Sequence, residues 1–146
     1  LIRRKDMKDL YNNIEVVSLL DPIAVSTMQT ITNIDLQGFN SAILLFACGL
    51  DASMSASDKI VFVLSHGDDG TTYAAVEDKD ILGVTNITAG EILSIDNVNT
   101  EDNSLTKIGY VGGKRYLHLV GTVAGTTKPP LFIGLIKGDP EIAPVA

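Results

Sequence analysis

The sequence predicts an all-β fold: a single-domain antiparallel β-sandwich or barrel with extended N- and C-terminal arms. Aromatic residues make up only 5% of the 146 residues and tryptophan is absent, so the core must rest on Ile, Val and Leu. Many of these are β-branched and favour strands. Eight or nine short apolar runs follow one another at spacings of roughly 8–15 residues, separated by Gly, Asp, Asn and Pro. Finally, Gly112-Gly113 between two apolar runs predicts a central hairpin over Lys107–Val123, because a two-residue primed turn requires positive φ angles.

In the N-terminal half, Glu15–Leu20 is predicted as the first strand, and Asp21-Pro22 should end it because proline cannot donate to a β-ladder. Partial alternation over Ser26–Leu36 predicts a half-exposed strand, followed by a turn at Gln37-Gly38. Ser41–Cys48 is a continuous apolar run of strand length, which predicts a strand buried on both faces. Its cysteine, the only one in the chain, should pack as a small hydrophobic side chain.

In the C-terminal half, the clearest strand is Lys59–His66, followed by a tight turn at Gly67–Gly70. Further predicted elements are the strands Thr71–Val76, Glu91–Ile95 and Pro130–Lys137 and the acidic loop Asp96–Ser104. Alternation along the strands predicts a core of Ile60, Phe62, Leu64, Leu117, Leu119, Phe132 and Ile133 or Leu135. We therefore divide the chain into an N-terminal arm (1–13), a β-sandwich domain (14–138) and an extended C-terminal tail (139–146).

The charge distribution bears on the kind of partner. The net charge is −7, which argues against nucleic-acid binding because such a protein needs a basic face. Residues 1–10 nevertheless carry a net +2, leaving −9 on the remainder. A basic arm on an acidic body suggests contact with an acidic surface, although a solvated tail is an equal alternative. No apolar stretch reaches the roughly 18 residues of a membrane span, and the charged N-terminus shows no signal peptide, which predicts synthesis in the cytoplasm.

No catalytic, cofactor-binding or metal-binding set stands out. The turn Asp68-Asp69-Gly70 with its acidic neighbours Glu77, Asp78 and Asp80 lacks the spacing of a calcium loop and is better explained as a solvated turn. The two histidines, His66 and His118, could act as bases only if Ser65 or Cys48 converged on one of them, and no motif supports that. The glycines around Lys114 lack the full spacing of a phosphate-binding loop.

Several segments together resemble a family of small proteins encoded beside the major capsid gene of tailed bacteriophages and prophages. The resemblance covers most of the chain from Met7 onwards, and its specific part is the order of the motifs. These motifs are Met7–Tyr11, which is similar to the usual start of the family, Asp35–Ala42, His66–Tyr73, Asp80–Gly83, Gly109–Val120 and the Pro144-Val145 ending.

The resemblance implies a structural protein of the virion with no catalytic residues and no cofactor. We expect a capsid decoration protein on the head shell, whose partners are the major capsid protein, copies of itself, or both, without a nucleic acid, membrane or small-molecule substrate. The alternatives are a neck, head-completion or tail-tube subunit, and a β-sandwich binding module or envelope-glycan hydrolase. Because both chain ends lack a core pattern, we expect them to bind the partner through Arg3, Arg4, Lys5, Leu10, Tyr11, Ile142 and Val145.

Overall fold

The computed structural model describes residues 7–49, 51–96 and 104–145. A 3₁₀ turn at Tyr11–Asn13 precedes the first strand, and a second one, Asp78–Asp80, lies between the fifth and sixth strands. Within these residues the ten strands are β1 Ile14–Ala24, β2 Gln29–Asp35, β3 Phe39–Cys48, β4 Lys59–Gly67, β5 Ala74–Ala75, β6 Ile81–Leu82, β7 Glu91–Ile95, β8 Ser104–Tyr110, β9 Tyr116–Ala124 and β10 Pro130–Pro140. The predicted loop Asp96–Ser104 falls mostly outside the described residues.

The strands form two antiparallel sheets packed face to face, so the predicted all-β sandwich is confirmed. Sheet 1 has the order β1-β10-β3-β8-β6, and sheet 2 has the order β2-β9-β4-β5. Strand β7 also pairs with β4, beside Ile60–Val63, whereas β5 pairs with Ser65 and His66. Because β1 pairs with β10 from Ile14↔Gly138 to Ala24↔Pro130, the first and last strands of the chain lie side by side.

The prediction of a central hairpin is wrong. Strand β8 pairs with β3 in sheet 1, whereas β9 pairs with β4 and β2 in sheet 2, so the segment with Gly112-Gly113 crosses from one sheet to the other. Gly113 has the positive φ of +73° that the turn requires, but Gly112 instead allows close approach, because a Cβ there would lie 2.7 Å from the Tyr110 ring. Among the described strands, only β4 and β5 are sequence neighbours that pair with each other.

The core lies between the sheets. Leu44 and Phe46 of β3 face Ile60, Phe62 and Leu64 of β4, all at most 1% exposed. The rings of Phe46 and Phe62 are 4.9 Å apart across the two sheets. Five of the predicted core residues are buried, namely Ile60, Phe62, Leu64, Leu117 and Leu119. Ile133 and Leu135, which the sequence predicted as alternatives, are both buried as well.

Phe132 is the exception among the predicted core residues. Alternation along β10 turns Leu131, Ile133 and Leu135 inward, so Phe132 lies on the outward face and is only half-buried. Its ring covers Gly134, where a Cβ would lie 2.9 Å from the ring.

Two other expectations about strand ends and faces need correction. Strand β1 continues through Asp21-Pro22 to Ala24, because it is an edge strand whose outer side needs no backbone donor and its register shifts past the proline. The outward residues of β3, Ile43, Leu45 and Ala47, are only half-buried, so this strand is covered on one face and not on both.

Candidate partner-binding surface

The N-terminal segment forms a compact turn. The Asp9 carboxylate accepts a hydrogen bond from the Asn12 backbone N–H at 3.1 Å, and the Asn13 side chain donates to the Asp9 carbonyl oxygen at 2.6 Å. The hydrogen bonds from Asn12, first its side-chain amide and then its backbone, lower the pKa of Asp9 below its ordinary value. This segment therefore has a defined conformation just before β1.

The C-terminal tail returns to that turn. The backbone N–H of Glu141 donates to the Gly38 carbonyl oxygen at 2.9 Å, and that of Val145 donates to the Asn12 carbonyl oxygen at 2.8 Å. Both ends of the described chain are thus held at the same end of the sandwich.

Four of the predicted partner-binding residues lie on these joined segments. Tyr11 is 88% exposed, Ile142 82% and Leu10 65%, while Val145 is half-buried. We call these four residues and Met7, which is 98% exposed, the terminal patch. Arg3, Arg4 and Lys5 lie outside the described residues.

The second apolar surface is the outward face of sheet 1, which we call the apolar face. Cross-strand pairing arranges its residues in three rows. The rows are Val16, Ile136, Ile43, Gly109 and Leu82; Ser18, Gly134, Leu45 and Lys107; and Phe132, Ala47 and Leu105. In an antiparallel sandwich the outward face ordinarily alternates to polar residues, and the outward face of sheet 1 departs from that pattern.

Sequence reasoning missed the apolar face, although its signal is visible. The unbroken apolar run Ser41–Cys48 in β3 predicts a strand buried on both faces. Since each sheet of a two-layer sandwich has only one covered face within the chain, such a run leaves every second residue facing outward.

The outward face of sheet 2 is more polar. Strand β9 places His118 there, opposite Ser65 of β4, and the Tyr73 ring stacks on His118 with centroids 4.9 Å apart. The Tyr73 hydroxyl donates to Asn33 Oδ1 at 2.8 Å, which ties the turn after β4 to β2. Ser65 and His118 are therefore neighbours, but the described residues provide no hydrogen bond between their side chains, and Nδ1 of His118 lacks a partner.

The other histidine belongs to a polar network between the sheets. His66 Nδ1 and the Tyr110 hydroxyl are 2.8 Å apart, and the same hydroxyl accepts from the Lys114 backbone N–H at 3.0 Å. His66 Nε2 lies 3.9 Å from the buried Asp80 carboxylate, which itself accepts from the Glu77 backbone N–H at 2.9 Å. Burial raises the pKa of Tyr110 to about 12, so its hydroxyl stays neutral and links β8 to β4 and to the segment between β8 and β9.

A cleft of about 430 Å³ adjoins this network, lined by the turn between β2 and β3, by Tyr110 and by the chain after β8. Its cations are already paired: Lys114 Nζ lies 2.6 Å from Asp68, and Arg115 binds Asp35 through two hydrogen bonds of 2.9 Å. The arrangement joins the turns that surround the cleft and leaves no free cation among its described lining residues to bind an anion.

The acidic residues considered for calcium do not converge. The Asp69 carboxylate accepts from the backbone N–H groups of Thr71 and Thr72, and Asp78 accepts from those of Asn86 and Ile87. Within residues 7–49, 51–96 and 104–145, no group of three His, Cys, Asp or Glu residues could hold a metal ion. Over the same residues, no helix is long and apolar enough to cross a membrane.

No protein-family model and no curated protein sequence matches the chain. Among solved structures, a protein of the Bacillus endospore appendages, described as a novel family of disulfide-linked pili, is similar with a TM-score of 0.45 and 12% identity, covering 92% of this chain and 97% of that one. The VP2 subviral particle of infectious bursal disease virus is similar with a TM-score of 0.28 and 15% identity over 88% of this chain and 41% of that chain. At these TM-scores neither similarity contributes to a functional argument.

Proposed function

We propose that this chain is a structural virion protein of a tailed bacteriophage, a capsid decoration protein that binds and stabilises the head shell. The observation that supports it most is the terminal patch, where the Asn12–Val145 hydrogen bond holds two exposed apolar segments together at one end of a rigid sandwich. Exposed apolar side chains on a structured turn can bind a partner with little loss of conformational entropy. The family resemblance of the sequence supplies the identity of that partner as the capsid.

The terminal patch supplies the affinity in this proposal, and the basic residues of the arm supply orientation. Exposed ion pairs contribute little each, whereas buried aromatic and aliphatic side chains dominate binding energy. The proposal therefore places Tyr11 and Ile142 against the shell and pairs Arg3, Arg4 and Lys5 with its carboxylates.

Binding to capsids that lack the protein tests this function. The full chain should occupy such capsids, whereas Tyr11→Asp and Ile142→Asp should each lower the affinity at least tenfold because they bring a charge into an apolar contact. Thr122→Asp, at an exposed position of sheet 2, is the matched control and should bind like the unchanged chain. Equal binding of all four proteins would refute the terminal patch as the attachment site.

A second measurement concerns the basic arm. Deleting residues 1–6, which removes Arg3, Arg4 and Lys5 but keeps Met7 and the Asp9 turn, should reduce both the occupancy and its dependence on salt, because screened charge pairs are lost. Unchanged occupancy and salt dependence would show that the arm does not anchor the protein.

Copy number distinguishes a decoration protein from a neck or tail subunit. A decoration protein should be present in hundreds of copies on the shell, whereas a neck or tail ring closes around an axis and contains about six or twelve. Densitometry of purified virions measures this number, and a count near six or twelve would overturn the placement on the shell.

We further propose that the chain has no enzymatic activity. Glycoside hydrolysis requires two carboxylates about 5–10 Å apart across a sugar cleft. The cleft described here is lined by two carboxylates, those of Asp68 and Glu141, and the Asp68 carboxylate is already held by Lys114. Release of sugars from host envelope by the purified protein would contradict this proposal.

A further inference from the structure

We propose that the turn at residues 7–13 and the tail at residues 141–145 fold as one cooperative unit, which we call the terminal unit. The unit opens and closes while the sandwich stays folded, so the terminal patch is formed or lost as a whole. Its consequence for attachment rests on the proposed function. The cooperativity itself is a property of the free chain and is tested on the free chain.

The turn is built from local hydrogen bonds. The backbone N–H of Asn12 donates to the Asp9 carboxylate and that of Asn13 to the Leu10 carbonyl oxygen, both at 3.1 Å. None of the residues Tyr11–Asn13 is buried, so the turn gains little from the hydrophobic core. A single helical turn without buried side chains is only marginally stable by itself.

The tail is equally dependent on few contacts. Residues 141–144 are exposed and Val145 is half-buried. Two backbone hydrogen bonds attach it, one from the Glu141 N–H to the Gly38 carbonyl oxygen and one from the Val145 N–H to the Asn12 carbonyl oxygen. With so little apolar surface removed from water, each bond matters against the entropy lost on ordering the backbone.

The bond between Val145 and Asn12 couples the two segments. A formed turn places the Asn12 carbonyl oxygen where the tail needs it, and a docked tail in return holds the turn closed. Because Ile14 and Gly138 are already paired where the segments leave the sheet, this bond closes only a short loop. Coupling of this kind is reciprocal, so a change that loosens one segment loosens the other.

The terminal patch depends on this coupling because its side chains lie on both segments. Leu10 and Tyr11 belong to the turn and Ile142 belongs to the tail. In the open unit they lie on two separately moving segments, and a partner would have to order both. The apparent affinity for the partner therefore falls with the fraction of molecules in which the unit is closed.

Amide hydrogen exchange of the full chain, followed by NMR, tests the coupling in both directions. Asp9→Ala removes the carboxylate that holds the turn, and we expect the Val145 amide in the tail to exchange at least about fivefold faster. Val145→Pro removes the N–H of the tail, and the amides of Asn12 and Asn13 should exchange faster by a similar factor. The Leu36 amide, which donates to the Arg115 carbonyl oxygen at 2.9 Å, is the reference and should be unaffected.

Val145→Ala is the matched control, because it keeps the N–H and loses most of the apolar side chain. It should leave the exchange of Asn12 and Asn13 close to that of the unchanged chain. Segments that open independently would overturn the inference: Asp9→Ala would then leave Val145 unchanged, and Val145→Pro would leave the turn unchanged. Amides of Asn12, Asn13 and Val145 that exchange like those of an unfolded peptide in the unchanged chain would overturn it as well.

Binding to capsids that lack the protein separates this inference from the proposed function. Val145→Pro should bind more weakly than Val145→Ala, although alanine removes more apolar contact, because only proline opens the terminal unit. If exchange shows the coupling and Val145→Pro still binds like the unchanged chain, the terminal unit stands and attachment through the terminal patch is refuted.

Discussion

The Tyr110 hydroxyl joins β8 to β4 and to the segment between β8 and β9. Tyr110→Phe removes the hydroxyl that bonds His66 and accepts from the Lys114 backbone N–H. The His66 ring nitrogen and the Lys114 N–H then lose their hydrogen-bond partner in a largely buried site. We therefore expect the free energy of unfolding to fall by about 1–3 kcal/mol. Urea unfolding measures the change. Tyr11→Phe, at an 88% exposed position, is the control and should stay within about 0.5 kcal/mol of the unchanged protein.

Two phenylalanines test the assignment of inward and outward faces. Phe62 is fully buried, so Phe62→Ala should cost about 3–5 kcal/mol of stability by leaving a cavity. Phe132 lies half-exposed over Gly134, so Phe132→Ala should cost less than about 2 kcal/mol, because less apolar area returns to water. Thermal or urea unfolding of both variants measures the two losses of stability. Equal losses would place Phe132 in the core, as the sequence alone predicted.

At the scale of the elements, acidic side chains fix the loops opposite the chain ends. Asp51 accepts hydrogen bonds from Ser53 and from the Lys128 backbone N–H at 2.6 Å, and Asp58 accepts from the Thr126 backbone N–H at 2.9 Å. Backbone and side-chain hydrogen bonds, first from Ser53 and then from Lys128, lower the pKa of Asp51 to about 2, and backbone donation from Thr72 and Thr71 does the same for Asp69. The loops β3–β4 and β9–β10 are thereby held together by ionised carboxylates.

These carboxylates give the stability a defined dependence on pH. Since the pKa of Asp51 and Asp69 is lower in the folded chain than the ordinary 3.8, their contribution is complete above about pH 5 and is lost as the pH falls through about 4 towards 2. We expect the free energy of unfolding to fall over that interval, and Asp51→Asn to make the fall shallower. Urea titrations from neutral pH down to about pH 2 measure it. Thr122→Asn, at an exposed position of β9, removes no carboxylate and should leave the slope unchanged, and an unchanged slope for Asp51→Asn would contradict the assignment.

The elements also show how far sequence reasoning reaches. The existence of most strands could be predicted because alternation and turn residues are local signals, and Lys59–His66 is the clearest case. The strands with which β8 and β9 pair could not be predicted, since Gly112-Gly113 is compatible with both a hairpin and a crossover. Only the pairing of β8 with β3 and of β9 with β4 distinguishes the two arrangements. Pro22 indicated the end of a strand, but an edge position tolerates proline, and edges are set by the whole sheet. For the candidate surface, apolar residues at the termini were visible, whereas the apolar face required knowledge of which side of sheet 1 is covered.

At the scale of the whole molecule, the topology determines the folding rate. Ile14 pairs with Gly138 across most of the chain, and sequence neighbours other than β4 and β5 do not pair among the described strands. Such contacts require long loops to close, and the entropic cost of closure comes before the contacts stabilise the folded chain. We therefore expect refolding in milliseconds to seconds. Stopped-flow circular dichroism from urea measures it, and complete refolding within microseconds would contradict the strand order.

The hydrogen bond between Asn12 and Val145 has a practical consequence for engineering. Because both chain ends leave the sandwich at the same end, a fluorescent protein or affinity tag fused to either terminus would stand where the shell is proposed to bind. The loop between β3 and β4 lies at the other end of the strands, beside the loop between β9 and β10. Foreign peptides for display on particles therefore belong at the exposed residues Ala56 or Ser57, where they would point away from the surface of the particle.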